Sequence, residues 1–215
     1  MSAPLPVTAT AIPLAAIPAT AIPATAVPAT TIPATAVPAT AVPATGNPAL
    51  AHDPVQVDRL RRRIEAFHAA YCDTLDSGRL ADWPAYFIDD AFYRIIAREN
   101  RDLGLPVGLV YCEGNAMLRD RAFAIQSTAM HAPRYLRHFV SNIRIDAIEE
   151  DGALVRTRAN FLLFQVLMDR PTATLHLIGE YQDVLRIDGA DTMRLASRDC
   201  VYDNALVDNA LVYPV

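Results

Sequence analysis

Four long extended runs close this 215-residue chain after Pro133. Short segments rich in turn-forming residues separate the runs: Glu150-Asp151-Gly152, Asp169-Arg170-Pro171 and Asp188-Gly189-Ala190-Asp191. Adjacent strands that are joined by such short turns must run antiparallel. The closing part of the chain therefore predicts an antiparallel meander, and the elements before it must cover one face of that sheet.

Helical periodicity dominates the residues before the meander. From Asp53-Pro54 to Leu75, apolar residues recur at steps of three or four, and Gly78 follows as a stop signal. This pattern predicts one long amphipathic helix with "RLRRR" on its outer side. Further along, the sequence predicts a short helix in "LADWPAYF", strands in "AFYRIIAR" and "LPVGLVYCE", and a helix in "NAMLRDRAFAIQSTAM". Helices followed by strands favour an α+β domain, with the helices packed on one face of a curved, mainly antiparallel sheet.

The N-terminal segment has a different composition. Residues 1–52 contain no Asp, Glu, Lys or Arg, and from Ile17 they read "IPATAIPATAVPATTIPATAVPATAVPAT". Proline in every copy prevents a helix, so the repeat predicts an extended, disordered, polyproline-like segment and no membrane span. We expect two regions, a disordered repeat over 1–52 and a folded domain over 53–215. A spacer, a docking tail and a functionless expansion or overextended start site all stay open for the repeat.

Composition excludes several kinds of partner. The net charge of -5 gives no basic footprint for a nucleic acid. Three cysteines, Cys72, Cys112 and Cys200, fit neither a disulfide framework nor a zinc motif at their wide spacings. With no export signal, they are typical of reduced, buried thiols in a cytoplasmic protein.

The five histidines do not form a recognisable metal motif. No cysteine has a histidine two or three residues away, as a Rieske centre needs. His131 and His138 are separated by a proline across a helix-to-strand junction, which is not the spacing of a ligand pair. We therefore expect no metal site in this chain.

Acid–base chemistry is an open alternative. A cone-like α+β fold can enclose a pocket, and His138, His176, Asp183 or Tyr181 could face into it as base and acid. The competing interpretation places His68 on a helix flank and His176 on the polar face of its strand.

Apolar and polar residues alternate in the run "RYLRHFVSNIRI" (134–145), and this alternation bears on the two alternatives. Its parity puts Phe139 and Ile143 on one face with Ile145 and Ala147. The other face holds polar residues: His138, Asn142, Arg144 and Asp146. Such alternation is typical of a half-buried strand. We expect its polar face to be turned toward solvent or a partner chain.

The run "FLLFQVLM" (161–168) is apolar on both faces of a strand. Antiparallel strands usually keep one face in water, so this run predicts a cover on each side. The second cover is expected to be another subunit.

The ordered set of segments resembles a known family. In order they are "DWPAYFIDDAFYRI", "REN", "GLPVGLVYCEGNAMLRDR", "RYLRHFVSNIRI", "GEYQDVLRI" and "LASRDCVYDNALVDNALVYPV". Together they resemble the small (β) subunit of aromatic-ring-hydroxylating dioxygenases, the Rieske non-haem iron oxygenases, from about Val57 to Val215. Within that family, "RENRDLGLPVGLVYCEGNAMLRDR" and the closing segment look most like small subunits of salicylate 5-hydroxylase, with terephthalate dioxygenase as a near neighbour.

The resemblance implies an NTF2-like cone and a cytoplasmic α3β3 hexamer. In that family the large (α) subunit carries the Rieske [2Fe-2S] cluster, the mononuclear Fe(II) and the substrate pocket. Ferredoxin and reductase components relay electrons from NAD(P)H. This chain is then expected to be a non-catalytic structural subunit of an oxygenase that hydroxylates an aromatic acid, with a salicylate-like substrate, in aromatic compound catabolism. A stand-alone isomerase, dehydratase or small-molecule-binding protein of the same fold is the alternative.

The residues of this chain are accordingly expected to act at a subunit interface. No catalytic, cofactor-binding or metal-binding residue is predicted. Arginine suits an interface because its planar fork can hold a partner's carboxylate through two hydrogen bonds. The predicted interface residues are Arg134, Arg137, His138, Phe161, Phe164 and Tyr213.

Overall fold

The structure, a computed structural model, describes residues 53–128, 131–149, 152–189, 192–207 and 211–215. The predicted disordered repeat over 1–52 lies outside the described residues. Within the described ranges, no helix is long and apolar enough to cross a membrane.

Helix α1 (Pro54–Asp76) confirms the predicted long amphipathic helix. Asp53 caps its N-terminus, where the Asp53 side chain accepts a hydrogen bond from the Val55 N–H, and proline occupies the first turn. Gly78 ends the segment with a φ of 70°, a conformation that glycine adopts without a Cβ penalty. The buried side of α1 carries the apolar positions predicted from the periodicity, among them Ile64, Tyr71 and Leu75.

Shorter helices link α1 to the sheet. A 3₁₀-helix (Trp83–Tyr86) packs against α1, and its Trp83 is fully buried. The five-residue helix α2 (Arg98–Asp102), which the sequence did not predict, precedes an exposed loop. Helix α3 (Gly114–Ser127) buries Leu118, Ala122 and Ile125, as its spacing predicts.

Among the residues that the structure describes, six strands form one sheet, with the spatial order β2-β1-β6-β5-β4-β3. Their bounds are β1 (Phe87–Ala97), β2 (Val110–Glu113), β3 (Arg134–Glu149), β4 (Leu154–Leu167), β5 (Ala173–Asp188) and β6 (Thr192–Tyr202). The last four form the predicted antiparallel meander, while β1 pairs with β6 in parallel. The predicted α+β architecture is therefore confirmed, with one strand shorter than expected, since β2 includes only "VYCE" of "LPVGLVYCE".

Strand β3 changes the direction of its side chains in the middle. Its register with β4 shifts between Ser141 and Arg144, and Asn142 there has a φ of 53°. Such a bulge inserts an unpaired residue and bends the strand. As a result, Leu136 and His138 are buried before the bulge and Ile145 is buried after it.

This bulge overturns the predicted faces of "RYLRHFVSNIRI". His138 lies on the buried face, with a relative exposure of 7%, whereas Phe139 is 54% exposed. The prediction assumed one unbroken alternation, but the register with β4 shifts twice along β3, between Ser141 and Arg144 and again between Ile145 and Ala147.

The inner face of the sheet holds the core. Rings from α1, the 3₁₀-helix and β1 meet edge to face, with centroids 5.2 Å apart for Trp83 and Tyr93 and 5.5 Å for Trp83 and Phe87. The closing residues of the chain enter the same core, because Val215 is fully buried and its N–H donates to the Tyr93 hydroxyl at 2.9 Å. This layer surrounds the polar residues described next.

Candidate functional sites: a buried arginine and an exposed apolar face

A polar cluster lies at the centre of the inner face. Asp183 on β5 stands directly opposite Arg198 on β6 in the antiparallel register, and Tyr181 precedes Asp183 on the same face. His68 and Tyr71 reach down from α1. We call these five residues the Arg198 cluster.

The Arg198 guanidinium is held on three sides. Its Nε donates to Asp183 Oδ1 at 2.9 Å and its Nη2 to Oδ2 at 2.7 Å, a two-bond ion pair. The guanidinium carbon lies 4.2 Å from the ring centroids of both Tyr71 and Tyr181. Burial is the largest single effect and lowers the pKa of Arg198, but the charge and hydrogen bonds of Asp183 and the two tyrosines together raise it more, so the pKa lies well above its ordinary value. Arg198 is therefore a fixed cation in the core.

His68 is neutral in this environment. Its Nδ1 lies 3.3 Å from Arg198 Nη2 and accepts that donor, which places the ring proton on Nε2. Nε2 lies 3.8 Å from Asp183 Oδ2. Burial, together with the positive charge of Arg198, lowers the pKa of His68 to about 4.

The cluster is sealed from solvent. His68 is 2% exposed, Asp183 3%, and Arg198 and Tyr181 are fully buried. A substrate has no path to this His/Asp pair while Arg198 fills the space between the rings. The open acid–base pocket of the alternative interpretation is thus not what these residues form.

Two histidine placements from the sequence are wrong. His68 does not lie on a helix flank, because the helix turns it onto the sheet, and His176 is 5% exposed instead of lying on a polar face. The register between β4 and β5 shifts between Leu163 and Phe164, next to His176, and the His176 side chain is buried there. Alternation counted along the strand could not show this shift.

His138 joins the sheet to the end of α1. Its Nδ1 lies 2.7 Å from Asp76 Oδ1, and its backbone N–H donates to both carboxylate oxygens of Asp76 at 3.1 and 3.2 Å. The side chains of both residues are buried. His138 therefore supports the fold at the point where α1 ends, and Arg137 beside it remains exposed.

The outer face of the sheet shows a contrasting surface. Neighbouring strands place apolar side chains in register there, with Phe139 opposite Leu162 and Leu162 opposite Ile178. The members of this outer apolar face are Tyr135, Phe139, Leu162, Phe164, Val166, Leu175 and Ile178. Tyr135 is 62% exposed, and Phe139 makes an edge-to-face contact with Phe164 at 5.8 Å. The doubly apolar "FLLFQVLM" run thus faces the core on one side and this surface on the other.

The predicted interface residues divide between the surface and the interior. Arg137 is exposed, and Phe164 lies half-buried in the outer apolar face. Arg134 Nη1 donates to Gln165 Oε1 at 3.0 Å. The Tyr213 hydroxyl lies 2.7 Å from His131 Nε2. The remaining two, His138 and Phe161, are buried within the chain.

The residues of this chain do not fit an iron–sulfur cluster. Burial raises the pKa of the Cys72 thiol to about 12 and raises that of Cys200 further, whereas cluster ligands are thiolates. In the part of the chain that the structure describes, no three His, Cys, Asp or Glu side chains come together as metal ligands.

Comparison with known proteins identifies the class. The ring hydroxylating beta subunit family matches residues 70–209, and the chain belongs to this family. It is the small subunit of an aromatic-ring-hydroxylating dioxygenase, a component of an oxidoreductase complex in which this subunit is not the catalytic one.

Individual relatives extend the match. The chain is 32% identical to the anthranilate 1,2-dioxygenase small subunit of Burkholderia cepacia over 145 residues, covering 67% of this chain and 88% of the relative. It is 29% identical to the β2 subunit of the terminal oxygenase component of terephthalate 1,2-dioxygenase from Comamonas sp, covering 71% and 97%. A solved structure from Novosphingobium aromaticivorans, assigned as the β subunit of an aromatic-ring-hydroxylating dioxygenase, superposes with a TM-score of 0.66 at 35% identity, covering 76% and 100%. The predicted NTF2-like fold is confirmed by these neighbours.

Sequence reasoning predicted the buried position of Tyr71 but missed Arg198 and its contact with that ring. Asp183 and Tyr181 were named, but as groups facing an open pocket. The sequence signal for Arg198 is only partial: Ala196, Cys200 and Tyr202 share its face by alternation and favour burial, but Arg194 does as well.

Proposed function

We propose that this chain supports a Rieske oxygenase large subunit in an α3β3 complex, and that the outer apolar face is where it meets other subunits. The exposure of Tyr135 and Phe139 beside half-buried Phe164 is the observation that carries this proposal. Contiguous apolar surface of this kind is rare on monomers and marks protein interfaces. Aromatic residues at its centre suit binding hot spots.

The reaction of the complex follows from the division of labour in this family. The Rieske [2Fe-2S] cluster and the mononuclear Fe(II) belong on the large subunit, with ferredoxin and reductase components supplying electrons from NAD(P)H. The relatives act, by their names, on anthranilate and terephthalate, which are both aromatic carboxylic acids. We assign an aromatic acid of this class, salicylate included, as the substrate of the complex.

Substitution on the outer face tests the docking surface. Phe139→Asp places a charge at the centre of the outer apolar face and should reduce recovery of the large subunit in a tagged co-purification by at least about tenfold. Phe123→Asp is the matched control, because Phe123 is a 70% exposed phenylalanine on α3. Equal recovery with Phe139→Asp and the unchanged chain would refute the assignment of this face.

The two arginines near the start of β3 offer a milder test. Arg134→Ala and Arg137→Ala together should weaken assembly most at low salt, where ion pairs of the unchanged chain are least screened, and should leave the circular dichroism spectrum of the isolated chain unchanged. Size-exclusion chromatography of the co-expressed complex is the measurement. An intact hexamer at all salt concentrations would count against a role for these arginines.

The substrate is tested on the reconstituted complex. Salicylate, anthranilate and terephthalate are supplied with the large subunit, ferredoxin, reductase and NADH, and the products are identified by mass. Hydroxylation of at least one acid, dependent on the large subunit, is expected. Turnover of any of these acids by the isolated chain would overturn the non-catalytic assignment.

A further inference from the structure

The surroundings of Arg198 have the groups of a recognition site for a planar cation. Two aromatic rings lie on its two sides, each with its centroid 4.2 Å from the guanidinium carbon, and a carboxylate meets its edge through two hydrogen bonds. Stacked rings and a carboxylate edge are the groups that bind free guanidinium compounds. The core is therefore built like a ligand site whose ligand is a side chain.

The binding groups come from elements other than the strand that carries the arginine. Tyr71 belongs to α1, and Tyr181 and Asp183 belong to β5, whereas Arg198 is on β6. Filling the site thus links three elements across the core. We call Tyr71, Tyr181 and Asp183 the cation cage.

Contacts that do not involve Arg198 hold the rings of the cage in place. The Tyr71 hydroxyl accepts from Trp83 Nε1 at 2.9 Å and donates to the Val215 carbonyl at 3.1 Å. Tyr181 stacks on Phe161 with centroids 4.6 Å apart and an interplanar angle of 19°. A cage that is positioned by its own neighbours can keep its shape when its occupant is removed.

We propose that the interior of this fold is a cation-binding cage occupied in cis by Arg198, and that removal of that side chain turns the core into a binding site for a free guanidinium-class cation. In the unchanged chain the same occupancy closes the interior to small molecules. The proposal concerns this chain alone and does not rest on the assignment of its partners.

Chemical rescue of Arg198→Ala tests the cage. The variant leaves the buried Asp183 carboxylate without its two-bond ion pair to Arg198, so it should melt well below the unchanged chain. Guanidinium at millimolar concentration should raise its melting temperature in a saturable way, by about 4 °C at ten times the dissociation constant. The measurement is made at pH 8, where His68 is neutral and cannot supply the missing charge.

Four controls separate binding in the cage from general effects of guanidinium. Urea has the shape of guanidinium without its charge and should give no rise, and sodium chloride corrects for ionic strength. Arg194→Ala removes an arginine from the same strand that pairs with the half-exposed Asp188, and it should gain nothing from guanidinium. The unchanged chain, whose cage is filled, should gain nothing either.

A folding readout covers the case in which Arg198→Ala does not fold. The denatured variant is then diluted into buffer with or without 20 mM guanidinium, and the soluble, helical fraction is compared. Recovery that depends on guanidinium and fails with urea supports the cage. No saturable gain in either measurement, or an equal gain with urea or in Arg194→Ala, would overturn it.

Discussion

The two faces of the same sheet reverse the usual distribution of polarity. The inner face buries an arginine, an aspartate and a histidine in contact with one another, whereas the outer face exposes aromatic and aliphatic residues around Phe139. Elsewhere on the outer face, ion pairs such as Arg158 with Asp146 remain at the surface. The buried charges of Arg198 and Asp183 pair with each other within the chain, whereas the exposed apolar residues form the surface that we propose meets another subunit.

The comparison predicts which property a substitution on each face should change. Substitutions on the inner face act on folding, because each buried charge depends on its partner. Substitutions on the outer apolar face act on association, because those side chains already contact water. The following predictions separate the two effects.

The largest loss of stability is expected from Asp183→Asn. It leaves the Arg198 cation buried without its carboxylate and should lower the free energy of unfolding by about 3 to 5 kcal/mol. Urea unfolding measures the loss, with Asp188→Asn as the control, since Asp188 pairs with half-exposed arginines and should cost less than about 1 kcal/mol. Equal losses in both variants would remove the distinction between buried and surface pairs.

A steric change on the inner face should come next. A Cβ at Gly179 would lie 2.1 Å from the Val201 carbonyl oxygen and 2.8 Å from Tyr202 Cα, both on the backbone of the adjacent strand. Gly179→Ala must therefore separate β5 from β6 locally and should cost about 2 to 3 kcal/mol. Gly152→Ala serves as a comparison at a site with no atom within 4 Å but with a φ of 95°. Wild-type stability for Gly179→Ala would show that the two strands are not so closely packed.

Acid should lower the free energy of unfolding through protonation of His68. The unfolded chain binds a proton at His68 near pH 6.5, but the folded chain does so only near pH 4, so protonation favours unfolding. The contribution of His68 to the free energy of unfolding is fully present above pH 6.5 and decreases as the pH falls. The free energy of unfolding should drop by about 2 kcal/mol between pH 7 and pH 5. His68→Gln should flatten the unfolding free energy over that interval, and His131→Gln should not. An unchanged pH dependence in His68→Gln would contradict the low pKa.

The smallest effect on folding is expected on the outer apolar face. Phe139→Ser with Leu175→Ser should change the unfolding free energy of the isolated chain by less than about 1 kcal/mol, because Phe139 is 54% and Leu175 45% exposed. Urea unfolding of the isolated double variant is the measurement. A loss as large as that of Asp183→Asn would mean that this face belongs to the core.

Local sequence patterns determined the elements of this fold. These patterns all depend on neighbours within a few positions. They are the apolar residue at every third or fourth position up to Leu75, the stop at Gly78, and the turn residues before Gly152 and Pro171. Short turns also required antiparallel pairing. The helices, the meander and their order could therefore be predicted, and the ordered segments were sufficient to recognise the family.

Only the tertiary structure decided which side of the sheet each residue faces. The bulge at Asn142 and the register shift at His176 reverse an alternation that sequence counting assumes to be continuous. The pairing of Arg198 with Asp183 depends on the register between β5 and β6, and the approach of His68 depends on how α1 packs across them. These contacts join residues distant in the chain, so their geometry is set by the packing of whole elements. That packing placed the charges inside and left the apolar residues around Phe139 outside.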